Sequence, residues 1–382
     1  MRTTFRFILA IVLVAAGVAC AAGVWAEETA EATTIAVLQF KNLCGDAKLD
    51  WLGYGFAESL STKLSNVTGI QLVERNKLAE AMKELKLQST AVIDPKTAGK
   101  LGKIVGAKYV IVGSFQKAGS SIKADARRVE VATSIASNGV DSKGKFDDVF
   151  EVQTELALKL CETFGMKISE AVKQEVSKPE TKSMSAYELN AKGMKESDAQ
   201  NWDEALSYFS QAIEEDANYV EAYYNRGGTR FVKGDYEKAF ADLNKAVKLD
   251  PTNSMAYIMR GLCYAASKDI EHAFADLNKA VSVAPKDYKP YAARSMVYLA
   301  MQDFQDAFKD LNKVISINPN LGAVYVGRSA CYLMMGNMEK ARADAEKGRS
   351  LGAVIPPELE QALGSGIAPQ GDGTWTDGGD TE

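Results

Sequence analysis

The chain has 382 residues, with 45 lysines and arginines against 50 aspartates and glutamates and a single histidine, for a formal net charge of −5. That balance lacks the basic footprint of a nucleic-acid binder, and a hydrophobic share of 46% is enough for packed cores in two domains.

The chain opens Met-Arg-Thr-Thr-Phe-Arg, followed by an apolar run from Phe7 to Ala22, and Val24-Trp25-Ala26 puts small or compact residues where a signal peptidase reads. A secretory signal peptide over 1–26 is expected, with a mature start at Glu27. Loss of Arg2 and Arg6 takes the charge from −5 to −7. The apolar run is too short and too rich in Ala and Gly for a spanning helix. Val18-Ala19-Cys20 resembles the end of a bacterial lipoprotein box, which implies acylation of Cys20 as the competing outcome. Of the later cysteines, Cys263 and Cys331 read as buried small hydrophobes, whereas a bridge between Cys44 and Cys161 stays open.

From Thr34 short apolar runs alternate with helical patterns. Ile35 to Phe40 suits a buried strand, Asp50 opens a helix with Phe56, Leu60 and Leu64 on one face, and Gly69 breaks it. Ile70 to Val73 reads as a strand and Asn76 to Leu85 as a helix, and a further helix runs from Asp94-Pro95 to Gly106. Tyr109 to Phe115 and Ile122 to Val131 flank a turn at Ala118-Gly119-Ser120 and form a hairpin. A longer helix from about Asp147 presents Val149, Leu156, Leu160 and Phe164 inward. This domain is placed at 34–172, and 173–185 reads as a polar linker.

Residues 186–353 then repeat every 34 positions, in units 186–219, 220–253, 254–287, 288–321 and 322–353. Gly193, Gly227, Gly261, Ser295 and Ser329 form one small column, and Ala205, Ala239, Ala273, Ala307 and Ala341 a second. Phe209, Leu243, Leu277 and Leu311 fill the seam, as do Ala212, Ala246, Ala280 and Val314, and Pro251, Pro285 and Pro319 close three units. Small residues that let paired helices approach, an apolar seam and a terminal proline describe a helix-turn-helix repeat. The pattern resembles the tetratricopeptide repeat. A capping helix is expected over 354–363 and a disordered tail over 364–382, and residues 186–363 are expected to fold without the first domain.

The first domain carries a second resemblance. The runs Ile35-Ala36-Val37-Leu38-Gln39-Phe40-Lys41-Asn42, Gly55-Phe56-Ala57-Glu58, Asp94-Pro95-Lys96-Thr97-Ala98, Gly106-Ala107-Lys108-Tyr109-Val110-Ile111-Val112-Gly113-Ser114 and Asp147-Asp148-Val149-Phe150 occur in the order seen in one superfamily. It joins the curli-secretion protein CsgG, the flagellar outer-membrane protein FlgO and the TolB amino-terminal-like domains. The resemblance implies an envelope location with self-association or partner binding, and carries over no catalytic residue. The hairpin bears Lys123, Asp125, Arg127, Arg128 and Glu130, unlike a lipid-facing hairpin, so a pore is not expected.

No motif for enzymatic chemistry stands out. His272 sits beside a small-residue column and reads as a solvated histidine. Gly53-Tyr54-Gly55 faintly resembles a dinucleotide loop, but Glu58 takes the third glycine's place and would repel a phosphate. No catalytic residue, metal or cofactor is expected. Two charged columns, Arg226, Arg260, Arg294, Arg328 and Asp242, Asp276, Asp310, Asp344, read as ion pairs within each unit, because the first unit lacks both members and has Lys192 and Tyr208 instead.

By the register that the resemblance supplies, the partner-binding groove comprises Tyr224, Phe231, Ile258, Leu262, Met296, Leu299, Val326 and Met334. Gly228, Leu262 and Met296 stand where some such domains place an asparagine that clamps a carboxylate, so an apolar segment is the expected ligand.

The expected fold is an α/β amino-terminal domain, a mixed sheet with helices, followed by an all-α tetratricopeptide superhelical solenoid. The expected protein is a non-enzymatic scaffold or adaptor, exported to the periplasm and associated with the outer membrane. Its solenoid would bind a protein partner, not nucleic acid, and its first domain would dock or form a homo-oligomer. Two alternatives are a subunit of a curli-type secretion assembly, and a small-ligand receptor or enzyme using a pocket in the first domain marked by perturbed carboxylates.

Overall fold

The computed structural model describes residues 33–365 except 66, 68, 74, 88–92 and 167. The expected signal peptide, Cys20 and residues 366–382 of the expected tail lie outside the described residues. The described residues form two compact units, one up to Cys263 and one from Tyr264 onward.

The first unit opens with a mixed sheet. Its strands are β1 (Thr33–Val37), β2 (Lys41–Asn42), β3 (Ile70–Leu72), β4 (Tyr109–Ala118), β5 (Ser121–Glu130), β6 (Ile135–Ala136) and β7 (Val140–Lys145). The order is β3-β1-β4-β5-β6, with β2 beside β4 and β7 beside β5. β1 runs parallel to β3 and β4, with Ile35 opposite Tyr109, and β4 and β5 form the antiparallel hairpin that the sequence leads one to expect.

Four helices cover this sheet: α1 (Asp50–Ser65), α2 (Arg75–Glu84), α3 (Pro95–Val105) and α4 (Val149–Thr163). α3 is bounded as its sequence dictates. Asp94 caps its first amides and Gly106, at φ +69°, closes it in the left-handed conformation. Strand alternation splits the core in two. Ile35, Val37, Ile111, Phe115, Ile122 and Ala124 pack with α1 and α4, whereas Ala36, Leu38, Val110, Val112 and Val129 pack with α2 and α3. The hairpin thus belongs to the domain core.

A short helix, α5 (Glu170–Val176), precedes the helix pairs. Segment 173–185 is more ordered than a polar spacer, because its first residues are helical and Val176 and Thr181 are buried. The first pair is α6 (Met184–Asp198) and α7 (Trp202–Glu215), followed by α8 (Val220–Val232), α9 (Tyr236–Leu249) and α10 (Ser254–Ala266). α6 departs from the expectation of a repeat array that folds by itself. Its Tyr187 and Ala191 belong to the same buried cluster as Trp51, Phe56 and Leu156 of the sheet domain.

The second unit contains α11 (Ile270–Val283), α12 (Tyr288–Ala300), α13 (Phe304–Ile317), α14 (Gly322–Met334), α15 (Met338–Ser350) and α16 (Pro357–Ser365). α16 extends two residues beyond the expected cap. It covers the end of the last pair, where Leu359, Ala362 and Leu363 join Leu333, Ala341 and Ala345, and the Arg342 guanidinium donates twice to the Leu363 carbonyl. The structure is therefore a mixed sheet with helices followed by a run of consecutive helices.

Candidate functional site

The arginine column is satisfied inside the protein. Arg294 donates from Nε and Nη2 to the two carboxylate oxygens of Asp310, both at 2.8 Å, and Arg328 grips Asp344 in the same way at 2.6 and 2.9 Å. Arg226 does so with Asp242, which also receives Arg230 at 2.7 Å. Asp242, Asp310 and Asp344 are all buried, so these are desolvated, fork-shaped pairs.

The remaining guanidinium nitrogen reaches back one unit. Nη1 of Arg260, Arg294 and Arg328 donates to Asn244, Asn278 and Asn312 at 2.7, 2.6 and 2.7 Å, and Arg226 donates to Ser210 at 3.0 Å. Asp242-Leu243-Asn244 and its copy at 310–312 therefore encode one contact within a repeat and one with the repeat that follows, and Asn278 of the copy at 276–278 makes the second of these. A tyrosine three residues before each arginine, at 223, 257, 291 and 325, lies 5.5–5.8 Å from the guanidinium. The Asn and Tyr columns were visible in the sequence at 34-residue spacing.

The eight groove residues do not share one environment. Ile258 and Leu262 are buried, with 1% and 9% of their surface exposed. Tyr224 and Phe231 pack against Leu243 and Cys263, Leu299 against the cluster of Leu311 and Val314, and Val326 against that of Leu333 and Ala345. Met296 and Met334 are half-buried. Sequence reading missed Met301 and Met335, which stand 34 residues apart and are 51% and 45% exposed.

A second constellation lies where α6 meets the sheet domain, and sequence reading missed it entirely. The Tyr187 hydroxyl donates to the Gly55 carbonyl at 2.7 Å and accepts from Gln153 Nε2 at 2.8 Å, with Trp51 and Phe150 edge-on to its ring. Gly53 and Gly55, set aside above as a phosphate loop, are close-approach positions: a Cβ would fall 2.1 Å from the Phe40 carbonyl oxygen or 2.8 Å from the Tyr187 hydroxyl. Glu58 pairs with Arg75 at 2.7 Å. Arg75 also lies 3.5 Å from Asp198 and over the Tyr54 ring at 4.1 Å, and the Tyr54 hydroxyl donates to Asp198. Burial raises the Glu58 carboxyl above its ordinary range, and Arg75 works against that rise.

A cleft of about 560 Å³ lies along α4 and is lined by Asp147, Asp148, Phe150, Glu151, Glu155 and Lys182 among others. Its Glu155 is held below the usual carboxylate range by Lys159 and Ser142, whereas the raised carboxyl of Glu58 lies outside the cleft, at the α1–α6 joint. His272 is on the surface, hydrogen-bonded to Asp269 and stacked on Tyr264. Cys44, Cys161, Cys263 and Cys331 are free thiols; burial pushes the last three up to about 12, which makes them poor nucleophiles. Among the described residues no group of His, Cys, Asp or Glu could hold a metal ion, and no helix is long and apolar enough to cross a membrane.

A mixed-sheet domain joined to helix-turn-helix repeats with an internally satisfied arginine column defines a tetratricopeptide-repeat protein with an α/β head. The chain belongs to the family of the curli production assembly/transport component CsgG, which it matches over residues 20–230. Tetratricopeptide repeats match over 220–253, 256–287 and 288–321. Over 138 residues it is 26% identical to putative adenylate cyclase 3 of Rhizobium meliloti (strain 1021), covering 36% of this chain but only 22% of that relative. Among solved structures it is similar to MamA (24% identity, 42% of this chain and 94% of that one, TM-score 0.37). It is also similar to a tetratricopeptide repeat protein from Parabacteroides merdae ATCC 43184 (22% identity, 58% and 82%, TM-score 0.41).

Proposed function

We propose that this protein is a non-enzymatic adaptor of the cell envelope, exported to the periplasm and held at the outer membrane, whose helical repeats capture a protein partner through apolar contacts while its α/β head docks or self-associates. The observation that carries this reading is the exposed pair Met301 and Met335, one repeat apart and close in sequence to half-buried Met296, Leu299 and Met334. Methionine side chains adapt to varied apolar partners, and the arginine column beside them already has carboxylate and amide acceptors inside the protein. Membership of the CsgG family supports the envelope setting. The partial match to a putative cyclase leaves most of that relative uncovered, so its activity is not carried over.

The test is capture from envelope extract with the immobilised chain, compared with a Met301→Glu/Met335→Glu variant that is equally well folded by circular dichroism. Specific proteins should bind the parent and be lost from the variant; identical captured sets would refute the apolar surface. Family membership also favours a second reading, a subunit of a secretion assembly, which rings of the chain in electron micrographs of outer-membrane extracts would support.

A further inference from the structure

Helix α3 turns a basic row outward. Its buried residues include Ala98, Leu101 and Gly102, and the exposed Lys96, Lys100 and Lys103, at spacings of four and three, share the opposite face. Lys108, also exposed, follows the closing Gly106. From Pro95 to Ala124 the chain carries six lysines and no aspartate or glutamate, although the whole chain is net negative.

These charges are not neutralised from within. Lys123 and Lys159 of the same domain each hold a carboxylate, whereas among the described residues the side chains of Lys96, Lys100, Lys103 and Lys108 hold none. The carboxylates of Asp94 and Glu130, which border the row, accept from Thr97 and Thr133 instead. Helix α2, packed beside α3, exposes Lys77 and Lys83 against Glu80 and Glu84, and so cancels nothing.

Two isoleucines flank the row. Ile104 of α3 is 42% exposed and Ile135 of β6 is 66% exposed. A Cβ at Gly99 or Gly102 would collide with Ser134 or Val131, so the loop that leads into Ile135 lies along one flank of the lysines, and helical rotation puts Ile104 on the other. Water solvates the ammonium groups but leaves the isoleucines unburied. An anionic bilayer serves both, with phosphates for the ammonium groups at the ends of long flexible stems and an acyl boundary for the branched side chains.

We propose that α3 and β6 form the face by which the sheet domain lies on an anionic phospholipid surface, the four lysines meeting headgroup phosphates and Ile104 and Ile135 entering the acyl boundary. This rests on the reading of the protein as held at a membrane, and names the face that holds it. Each lysine near such a surface strengthens binding roughly five-fold, so the row as a whole is enough for stable docking.

Acetylation footprinting of lysines on the full chain tests this face, whatever else tethers the protein. Vesicles of phosphatidylglycerol mixed with phosphatidylcholine should slow modification of Lys100 and Lys103 roughly five-fold or more, while Lys286, exposed in the second unit, keeps its rate. Vesicles of phosphatidylcholine alone should protect none of them. The lipid concentration that half-protects Lys96 should rise roughly ten-fold or more in Lys100→Glu/Lys103→Glu, and should rise also in Ile104→Ser/Ile135→Ser. Unprotected lysines on the charged vesicles, or equal protection by neutral vesicles or by inorganic phosphate at the same anion concentration, overturns the proposal. Cell fractionation judges the membrane reading separately: a chain that sediments with the membrane while these lysines stay open to the reagent keeps that reading and loses this face.

Discussion

The Tyr187 hydroxyl in the first repeat helix donates to the Gly55 carbonyl in the first helix of the sheet domain at 2.7 Å, across 132 residues of chain. The residue pair is matched in shape as well as polarity, since any side chain at position 55 would run into the phenol. The family match extends past the sheet to residue 230, through the helix that carries this tyrosine.

Replacing Tyr187 with Phe leaves Gln153 Nε2, on a residue with no exposed surface, without its acceptor. A buried donor left unmade costs about 1–3 kcal/mol. Gly55→Ala should cost more, because α1 must retreat from the ring. Urea unfolding of the full chain should show both midpoints lowered in that order, and unchanged midpoints would mean that the joint does not contribute to stability.

Adjacent glycines in α8 should respond in opposite senses. A Cβ at Gly227 would meet Leu243 Cγ at 2.9 Å, whereas at Gly228 the nearest atom is Met259 Cε at 3.8 Å, an ordinary contact. Gly227→Leu should lower stability by about 1–3 kcal/mol through overpacking. Gly228→Ala should be neutral or stabilising by up to about 1 kcal/mol through helix propensity. Thermal melts of the two variants compare them directly.

For the Arg294 and Asp310 pair, charge reversal of the arginine leaves a carboxylate with 5% exposure facing another negative charge. Arg294→Glu should destabilise by about 3–5 kcal/mol. Adding Asp310→Arg should restore part of that, and a double-mutant cycle should give a coupling of about 0.5–3 kcal/mol. Strictly additive changes would show that the fork contributes nothing beyond its separate side chains.

His272, the chain's single histidine, gives one imidazole resonance to follow by proton NMR. Its hydrogen bond to Asp269 should place its midpoint above the ordinary 6.5, and Asp269→Asn should lower it. The interaction holds fully below 6.5 and fades as pH rises through the raised value. A midpoint unmoved by the substitution would deny the pairing.

The repeats were legible because packing writes itself as periodic columns, and the arginine and aspartate columns could be paired from the first unit's lack of both. What resists reading is whatever does not repeat. Tyr187 and Glu221 occupy one register position, continued by Met255, Lys289 and Ala323, and that unconserved column is where the first two units meet neighbours of their own. The segment 173–185 looked like a spacer because its buried apolar residue, Val176, stands among polar ones, which leaves no hydropathic period to read. Strand β7, Val-Asp-Ser-Lys-Gly-Lys, went unseen for a similar reason: its one buried residue is Ser142, so no apolar alternation marks it.

Each arginine that closes on an aspartate of its own unit and an asparagine of the unit before gives the array a direction. An interior stretch of 34 residues carries both halves of that contact, so a tandem copy would find an acceptor behind it and offer one ahead. Such an array can lengthen by gene duplication without a new side chain. The first unit, with Lys192 and Tyr208 at the two charged positions, cannot be copied inward on those terms, and neither can the last, which has Glu346 where the asparagine would stand.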